Sequence, residues 1–147
     1  MAPSDLDGVM AIEEVSFPTP WSRRMFLEDF PRDFSDSLVA AGAEDEVLGY
    51  AVCWTIAGES HLLNIAVHSA RRGQGIGRAL LSECIRRAAR AGASVIFLEV
   101  RAGNEAAQRL YRSLGFAFRG IRKGYYTDTG EDAVILDREV RKSDAAR

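Results

Sequence analysis

The residues with the most to say about chemistry lie in one run, Asn64-Ile65-Ala66-Val67-His68-Ser69-Ala70-Arg71-Arg72-Gly73-Gln74-Gly75-Ile76-Gly77-Arg78, an apolar stretch that passes through glycines into a helical pattern. At the start of a helix the backbone N–H groups point together, and glycines let an anion approach them with no Cβ in the path. Such a bend can cradle a diphosphate, with Arg71, Arg72 and Arg78 supplying fixed positive charge around it. A plain glycine turn with solvated arginines has the same local spelling. Two other nucleotide loops fail on theirs. A Walker loop needs Gly-Lys followed by Ser or Thr, which this chain lacks. A dinucleotide fingerprint fits Gly73 and Gly75 and would use Glu99 for a ribose, but Arg78 stands where its last glycine belongs and the run lies mid-chain.

Further on, Glu99 interrupts the apolar pattern Val95-Ile96-Phe97-Leu98-Glu99-Val100. Partial desolvation there is expected to raise its pKa towards neutrality and suit it to work as a general base. Arg101, two residues along and on the same strand face, offers an ion pair instead, and the residue types leave both readings open. Tyr111 stands at helical spacing from Ala107 and Leu114, a pattern that taken alone is more often core than acid. His61 and His68 are the next candidates for a base, but with no partner at useful spacing they read as ordinary surface or strand residues. Cys53 and Cys84 are isolated, with no C-x-x-C and no histidine at ligand spacing, so neither a disulfide framework nor a metal site is expected.

These groups must be held by elements the pattern predicts. Ser4 with Asp7 has the form of a capping box, opening a helix that buries Leu6, Val9, Met10 and the stem of Glu13 before Pro18 stops it. A short helix from Ser22 carries Met25, Phe26 and Phe30 on one side and ends at Pro31, with Phe26 and Phe30 read as core. Residues 38–41 and 47–56 form a hairpin about the acidic turn 43–46, and 61–67 is a third strand. A long helix over 74–91 repeats Ile76, Leu80, Cys84 and Ala88 every fourth residue and ends at Gly92. A strand over 94–101, a helix capped by Asn104 and closed by Gly115, and strands over 116–121 and 132–140 complete an α+β domain with a strand-helix-strand crossover.

The 147 residues suit one domain, read as 1–147, and 47% apolar with 27% charged residues excludes disorder and collagen-like repetition. No run approaches the roughly 20 apolar residues of a membrane span, and Asp5 and Asp7 stand where a signal peptide is basic, so a cytoplasmic protein with no membrane partner is expected. The net charge of -2 conceals an asymmetry: residues 1–60 hold 12 acids and 3 bases, residues 61–147 hold 9 acids and 16 bases. The basic half can attract a polyanion, but it lacks the interleaved aromatics of a stacking platform, and no direct nucleic-acid contact is expected.

Arg72-Gly73-Gln74-Gly75-Ile76-Gly77 matches (Q/R)-x-x-G-x-(G/A), and the chain resembles the GCN5-related N-acetyltransferases that carry this signature. The resemblance runs from Asp5 to Val140. Phe17-Pro18-Thr19-Pro20-Trp21-Ser22, Leu63 to Val67, Leu98 to Arg101, Leu110-Tyr111 with Gly115-Phe116, Tyr125-Tyr126 and Glu131-Asp132-Ala133 make it most similar to members that acetylate the N-terminal alanine of a ribosomal protein. It implies a mixed, mostly antiparallel sheet of six to seven strands with about four helices. It also implies acetyl-CoA as cosubstrate, its diphosphate on residues 73 to 78 beside Arg72, its pantetheine arm along a splayed strand Ile65-Ala66-Val67, and a further contact from Asn104. Two departures stand out: the usual Arg-Ala-Ser-Asn reads Arg101-Ala102-Gly103-Asn104, and Arg71 occupies a place often held by Phe or Tyr.

The roles implied are catalytic for Glu99 and Tyr111. An α-amino group titrates near 8, so at pH 7 only about a tenth is neutral and able to attack a thioester. Glu99 would accept its proton, directly or through water, and Tyr111 would give one to the departing thiolate. A backbone amide near Val67 would hold the oxyanion, with no metal required. Trp21, Tyr125 and Tyr126, the last two expected in a loop, would wall the acceptor peptide, whose positive charge Glu13, Glu14, Glu28, Asp29 or Asp33 would attract. Glu131 and Asp132 open a strand, in a role not separable from structural hydrogen bonding. A monomer acting by direct transfer is expected; other readings are an acceptor lysine or small amine, or a non-catalytic acyl-CoA-binding module.

Overall fold

The computed structural model describes residues 1–146 of the chain. Six strands make one sheet in the order β1-β2-β3-β4-β6-β5: β1 is Ser35–Ala41, β2 Val47–Ile56, β3 Glu59–Val67, β4 Val95–Arg101, β5 Ala117–Tyr126 and β6 Glu131–Glu139. Every neighbouring pair is antiparallel except β3 and β4, which the crossover helix α3, Ile76–Arg90, joins in parallel. Helices α1, Leu6–Ser16, and α2, Arg23–Asp29, precede the sheet, and α4, Glu105–Ser113, links β4 to β5. This is the expected α+β architecture, with six strands.

The sheet has a core on each face. On one, α3 packs Leu80 and Cys84 of its fourth-residue stripe, with Leu81 beside them, against Leu62, Ile96 and Leu98, joined by Tyr111 of α4. On the other, Leu6, Val9 and Ile12 of α1 and Phe26 of α2 cover Tyr50, Val52 and Ala66. Each fully buried large side chain contributes about 1.5–3 kcal/mol of transfer free energy, which fixes the helices on their faces. Because side chains alternate along a strand, the neighbours of Ile96, Leu98 and Val100 on β4, namely Phe97, Glu99 and Arg101, face the α1–α2 side.

Several boundaries differ from the sequence reading, each for a local reason. Pro3 brings the chain in through a 3-10 turn, Pro3–Asp5, and Asp5 accepts from the backbone N–H of Ala2, so the Ser4–Asp7 box is not what starts α1. Glu13 is buried whole, at 1% exposure, where only its stem was expected to be covered, while Met10 is only partly buried. Met25 is exposed, and Ser22 caps α2 by accepting from its N–H. Strand β5 runs on through Tyr125 and Tyr126, which therefore lie on a strand and not in a loop. A register shift accommodates Gly124 in the left-handed region, and Tyr126 still pairs Glu131.

Both cysteines are free and buried between α3, which carries Cys84, and the sheet, where β2 carries Cys53. Burial, with Asp36 adding to it, pushes the Cys53 thiol up to about 12. Among the described residues no helix is long and apolar enough to cross a membrane.

Candidate active site

Strands β3 and β4 pair at only three rungs, Glu59–Val95, Ser60–Ile96 and His61–Phe97, and then part. A bulge contributes: Val52 pairs Asn64 and Cys53 pairs Leu62, so Leu63 stands outside the β2–β3 register. The extra residue turns Leu62 into the α3-side core while Asn64, also even-numbered, reaches α1 on the opposite face. Beyond the last rung, Ile65, Ala66 and Val67 present one backbone edge to a wedge-shaped opening. The side chain of Ile65 packs on the α3-side core and Ala66 is buried beneath α1.

The glycine run lies at the open end of that wedge. A short 3-10 turn, Ser69–Arg71, leads through Arg72 to Gly73 and Gly75, which hold φ of 78° and 82°, a left-handed conformation that glycine adopts without a Cβ clash. A Cβ built on either meets no protein atom within 4 Å, so the ground in front of α3 is clear. The first intrahelical bond is Ala79 N–H to Gly75 C=O, which leaves the amides of Ile76, Gly77 and Arg78 directed at that ground. These features fit an anionic group such as a diphosphate. Gly77 serves packing as well, since a Cβ there would come within 3.3 Å of Leu110 of α4.

The neighbouring polar groups are partly committed. Arg78 donates to Ser113 Oγ at 2.8 Å, tying α3 to α4, and Arg71 lies 4.0 Å from Glu46. Among the described residues no side chain pairs with Arg72, which is exposed beside exposed Gln74. Ile76 packs into the core. The Asn104 side chain caps α4, accepting from Ala107 N–H at 3.2 Å.

Glu99 sits just past the point of divergence. Its side chain is 9% exposed, and one carboxylate oxygen lies 2.6 Å from His61 Nε2. The other lies 3.8 Å from Arg122 of β5. The His61 ring stacks on Phe97, centroids 4.3 Å apart. The hydrogen bond from His61 outweighs desolvation and, with Arg122, holds the Glu99 carboxyl below the usual carboxylate range. The expected upward shift is therefore reversed: the burial is real, but two basic side chains oppose it. Arg101 is not the partner. It pairs with Asp128 at 2.8 Å and Glu131 at 3.5 Å, and its guanidinium lies 4.1 Å from the Tyr126 ring centre.

Tyr111 is on the other side of the sheet, 6% exposed and packed against Phe116, and no described residue hydrogen-bonds its hydroxyl. Burial pushes its phenol well above the ordinary value, with Tyr126 and Cys84 adding to the shift. Tyr126 is itself pushed up to about 12 by burial, and Glu99 is among the groups acting on it. Tyr125 meets Tyr126 edge-on at 5.1 Å and is exposed. Trp21 lies across the α1–α2 side, its ring 5.1 Å from Phe26.

Two residues have partners that the sequence did not show. His61 has a partner after all, reached through the parallel register of β3 and β4, which no local pattern encodes. Glu13 accepts from Asn64 Nδ2 at 2.7 Å, from the Trp21 backbone N–H at 2.9 Å and from the Tyr50 hydroxyl. Asp29 is likewise buried, accepting from Trp54 Nε1 at 2.8 Å and from Ser35 Oγ. Neither acid is available to attract a peptide, whereas Glu14, Glu28 and Asp33 remain exposed. Glu131 accepts from Gly103 N–H and Asp132 from Gly124 N–H, at 2.7 and 2.8 Å, which are structural bonds of the strand end.

Residues 6–116 match the acetyltransferase (GNAT) family. The chain belongs to that family. The acetyltransferase is 36% identical over 135 residues to the ribosomal protein bS18-alanine N-acetyltransferase of Escherichia coli strain K12, covering 90% of each chain. The crystal structure of the Escherichia coli ribosomal-protein alanine N-acetyltransferase superposes with a TM-score of 0.85 at 34% identity, covering 95% of this chain and 90% of that one. Ard1 from Thermoplasma volcanium superposes with a TM-score of 0.86 at 26% identity, covering 96% and 95%.

Proposed function

We propose that this acetyltransferase moves the acetyl group of acetyl-CoA to the α-amino group of a protein that begins with alanine, ribosomal protein bS18 being the acceptor to which its relatives' names point. The observation that carries the reading is the parting of β3 from β4, with a carboxylate on one face of the sheet and a buried phenol on the other. On this reading the cosubstrate's diphosphate meets the amides of residues 76 to 78, in the clear ground before Gly73 and Gly75, with Arg72 and Gln74 at its side and Ile76 and Gly77 setting the helix start. Arg78 and Asn104, both bonded within the protein, line the approach. The pantetheine amides pair with the open edge of Ile65, Ala66 and Val67, as an added strand would.

The free amine then arrives from the α1–α2 side, against Trp21, Tyr125 and Tyr126. Glu99, whose carboxyl is held below the usual carboxylate range, draws the ammonium form in, and the ammonium gives up one proton to solvent to become nucleophilic. Glu99 accepts the second proton as the neutral nitrogen bonds to the acyl carbon. As the carbon–sulfur bond breaks, Tyr111 donates from the opposite face to the departing sulfur. Its elevated pKa keeps the phenol protonated until a strong base appears beside it, and a thiolate in the same apolar surroundings is such a base. Attack and departure thus take place on opposite sides of the sheet.

The test is acetyl transfer to a peptide with N-terminal alanine and one internal lysine, with the N-terminus free or blocked. Transfer confined to the free N-terminus is expected. Undiminished transfer to the blocked peptide would assign the enzyme to lysine or simple amines instead, and acetyl-CoA binding without turnover on any amine would make it a binding module.

A further inference from the structure

The bond between His61 and Glu99 has no counterpart in the chemistry assigned above, and its location is specific. His61–Phe97 is the last rung of the β3–β4 ladder, so the two side chains meet where the strands begin to part. A carboxylate oxygen 2.6 Å from an imidazole nitrogen needs a hydrogen between them, which assigns the proton to Nε2 when Glu99 is ionised. One Glu99 oxygen is thereby occupied, and the other is left for the substrate amine. The ring cannot swing aside freely, because it lies on Phe97 at an interplanar angle of 17°. At 27% side-chain exposure His61 also reaches solvent, which Glu99 at 9% scarcely does.

We propose that His61 is a positioning residue that orients Glu99 and, by its own protonation, sets how strongly Glu99 can take a proton from the amine. With a neutral imidazole, Glu99 receives one hydrogen bond and keeps a basic oxygen. With an imidazolium, the pair becomes a full ion pair, and that attraction lowers the carboxylate's basicity. The other groups around the pair are few. Arg122 on β5 adds constant positive charge 3.8 Å from Glu99, Tyr126 on β5 stays neutral, and the residues opposite on β2, β4 and β6 are Trp54, Phe97 and Ile135, none of which titrates. Histidine is therefore the group of this cluster able to change charge between pH 5 and 8.

This inference rests on the reading of Glu99 as the base, and the experiment separates the two. Transfer rates to the alanine peptide are measured from pH 5.5 to 8 for wild type, His61→Gln, His61→Asn and Glu99→Gln, with folding of each checked by circular dichroism. The substrate amine contributes the same pH dependence to every enzyme, so the informative quantity is the ratio of variant to wild-type rate. Glutamine and asparagine can still donate an N–H to Glu99 but cannot become charged. The ratio for the folded His61 variants is expected to rise about tenfold from pH 8 to pH 5.5, because only the wild-type side chain can gain a charge over that range. A ratio flat within about twofold in either folded variant, alongside a slow Glu99→Gln, overturns the role of His61 alone. Wild-type rates in Glu99→Gln overturn the base reading and this inference with it.

Discussion

Two carboxylates on the same side of the sheet have opposite company. Glu13, on α1, is sealed at 1% exposure, and its three donors are all neutral: a phenol on β2, an amide on β3 and the backbone N–H of Trp21. Glu99, on β4, is slightly exposed, and its neighbours are an imidazole and a guanidinium. The first set joins three elements with fixed bonds and has no route for a proton. The second leaves an acceptor facing an opening, among groups whose charge matters. Depth of burial alone would have ranked Glu13 as the more unusual group; the identity of the donors separates a structural staple from the carboxylate proposed to react.

The largest effect that would sharpen this contrast is catalytic. Glu99→Gln should lower kcat by about 10²- to 10³-fold, the range of a lost general base, with the KM for acetyl-CoA little changed, as steady-state kinetics on the alanine peptide would measure. A kcat within about twofold of wild type would erase the distinction between the two sites. Next comes Glu13→Ala, which leaves two buried donors, Tyr50 and Asn64, and the part-buried Trp21 N–H without an acceptor. It should cost about 3 kcal/mol of stability in urea denaturation, and a loss under about 1 kcal/mol would mean that the staple is dispensable. Tyr111→Phe is the smallest. The hydroxyl has no partner among the described residues to lose, so stability should stay within about 0.5 kcal/mol while kcat falls about tenfold. Unchanged kcat would leave Tyr111 as core alone.

The same contrast explains what could be read before the structure. Features written in consecutive residues were legible: the stripe Ile76, Leu80, Cys84 and Ala88, the helix opening at Ser22, the cap at Asn104, and the glycine bend that runs into α3. The sign of the Glu99 shift was not, because it depends on His61, 38 residues away and brought near by strand register. Glu13 was misjudged for the same reason, since its partners Tyr50 and Asn64 lie on strands whose alignment includes a one-residue slip. Arg101 illustrates the converse. Its i+2 spacing from Glu99 was a sound local expectation, but the turn after β5 brought Asp128 and Glu131 into better reach.

The sealed thiols between α3 and the sheet have a practical use. Alkylating reagents attack the thiolate, and Cys53 and Cys84 are both covered and held in the protonated form. The native enzyme should thus ignore iodoacetamide, and any labelling must await an excursion that lifts α3 from the sheet. The rate of carbamidomethylation becomes a built-in clock for that opening, and it can be run with or without cosubstrate to time how ligand tightens the fold.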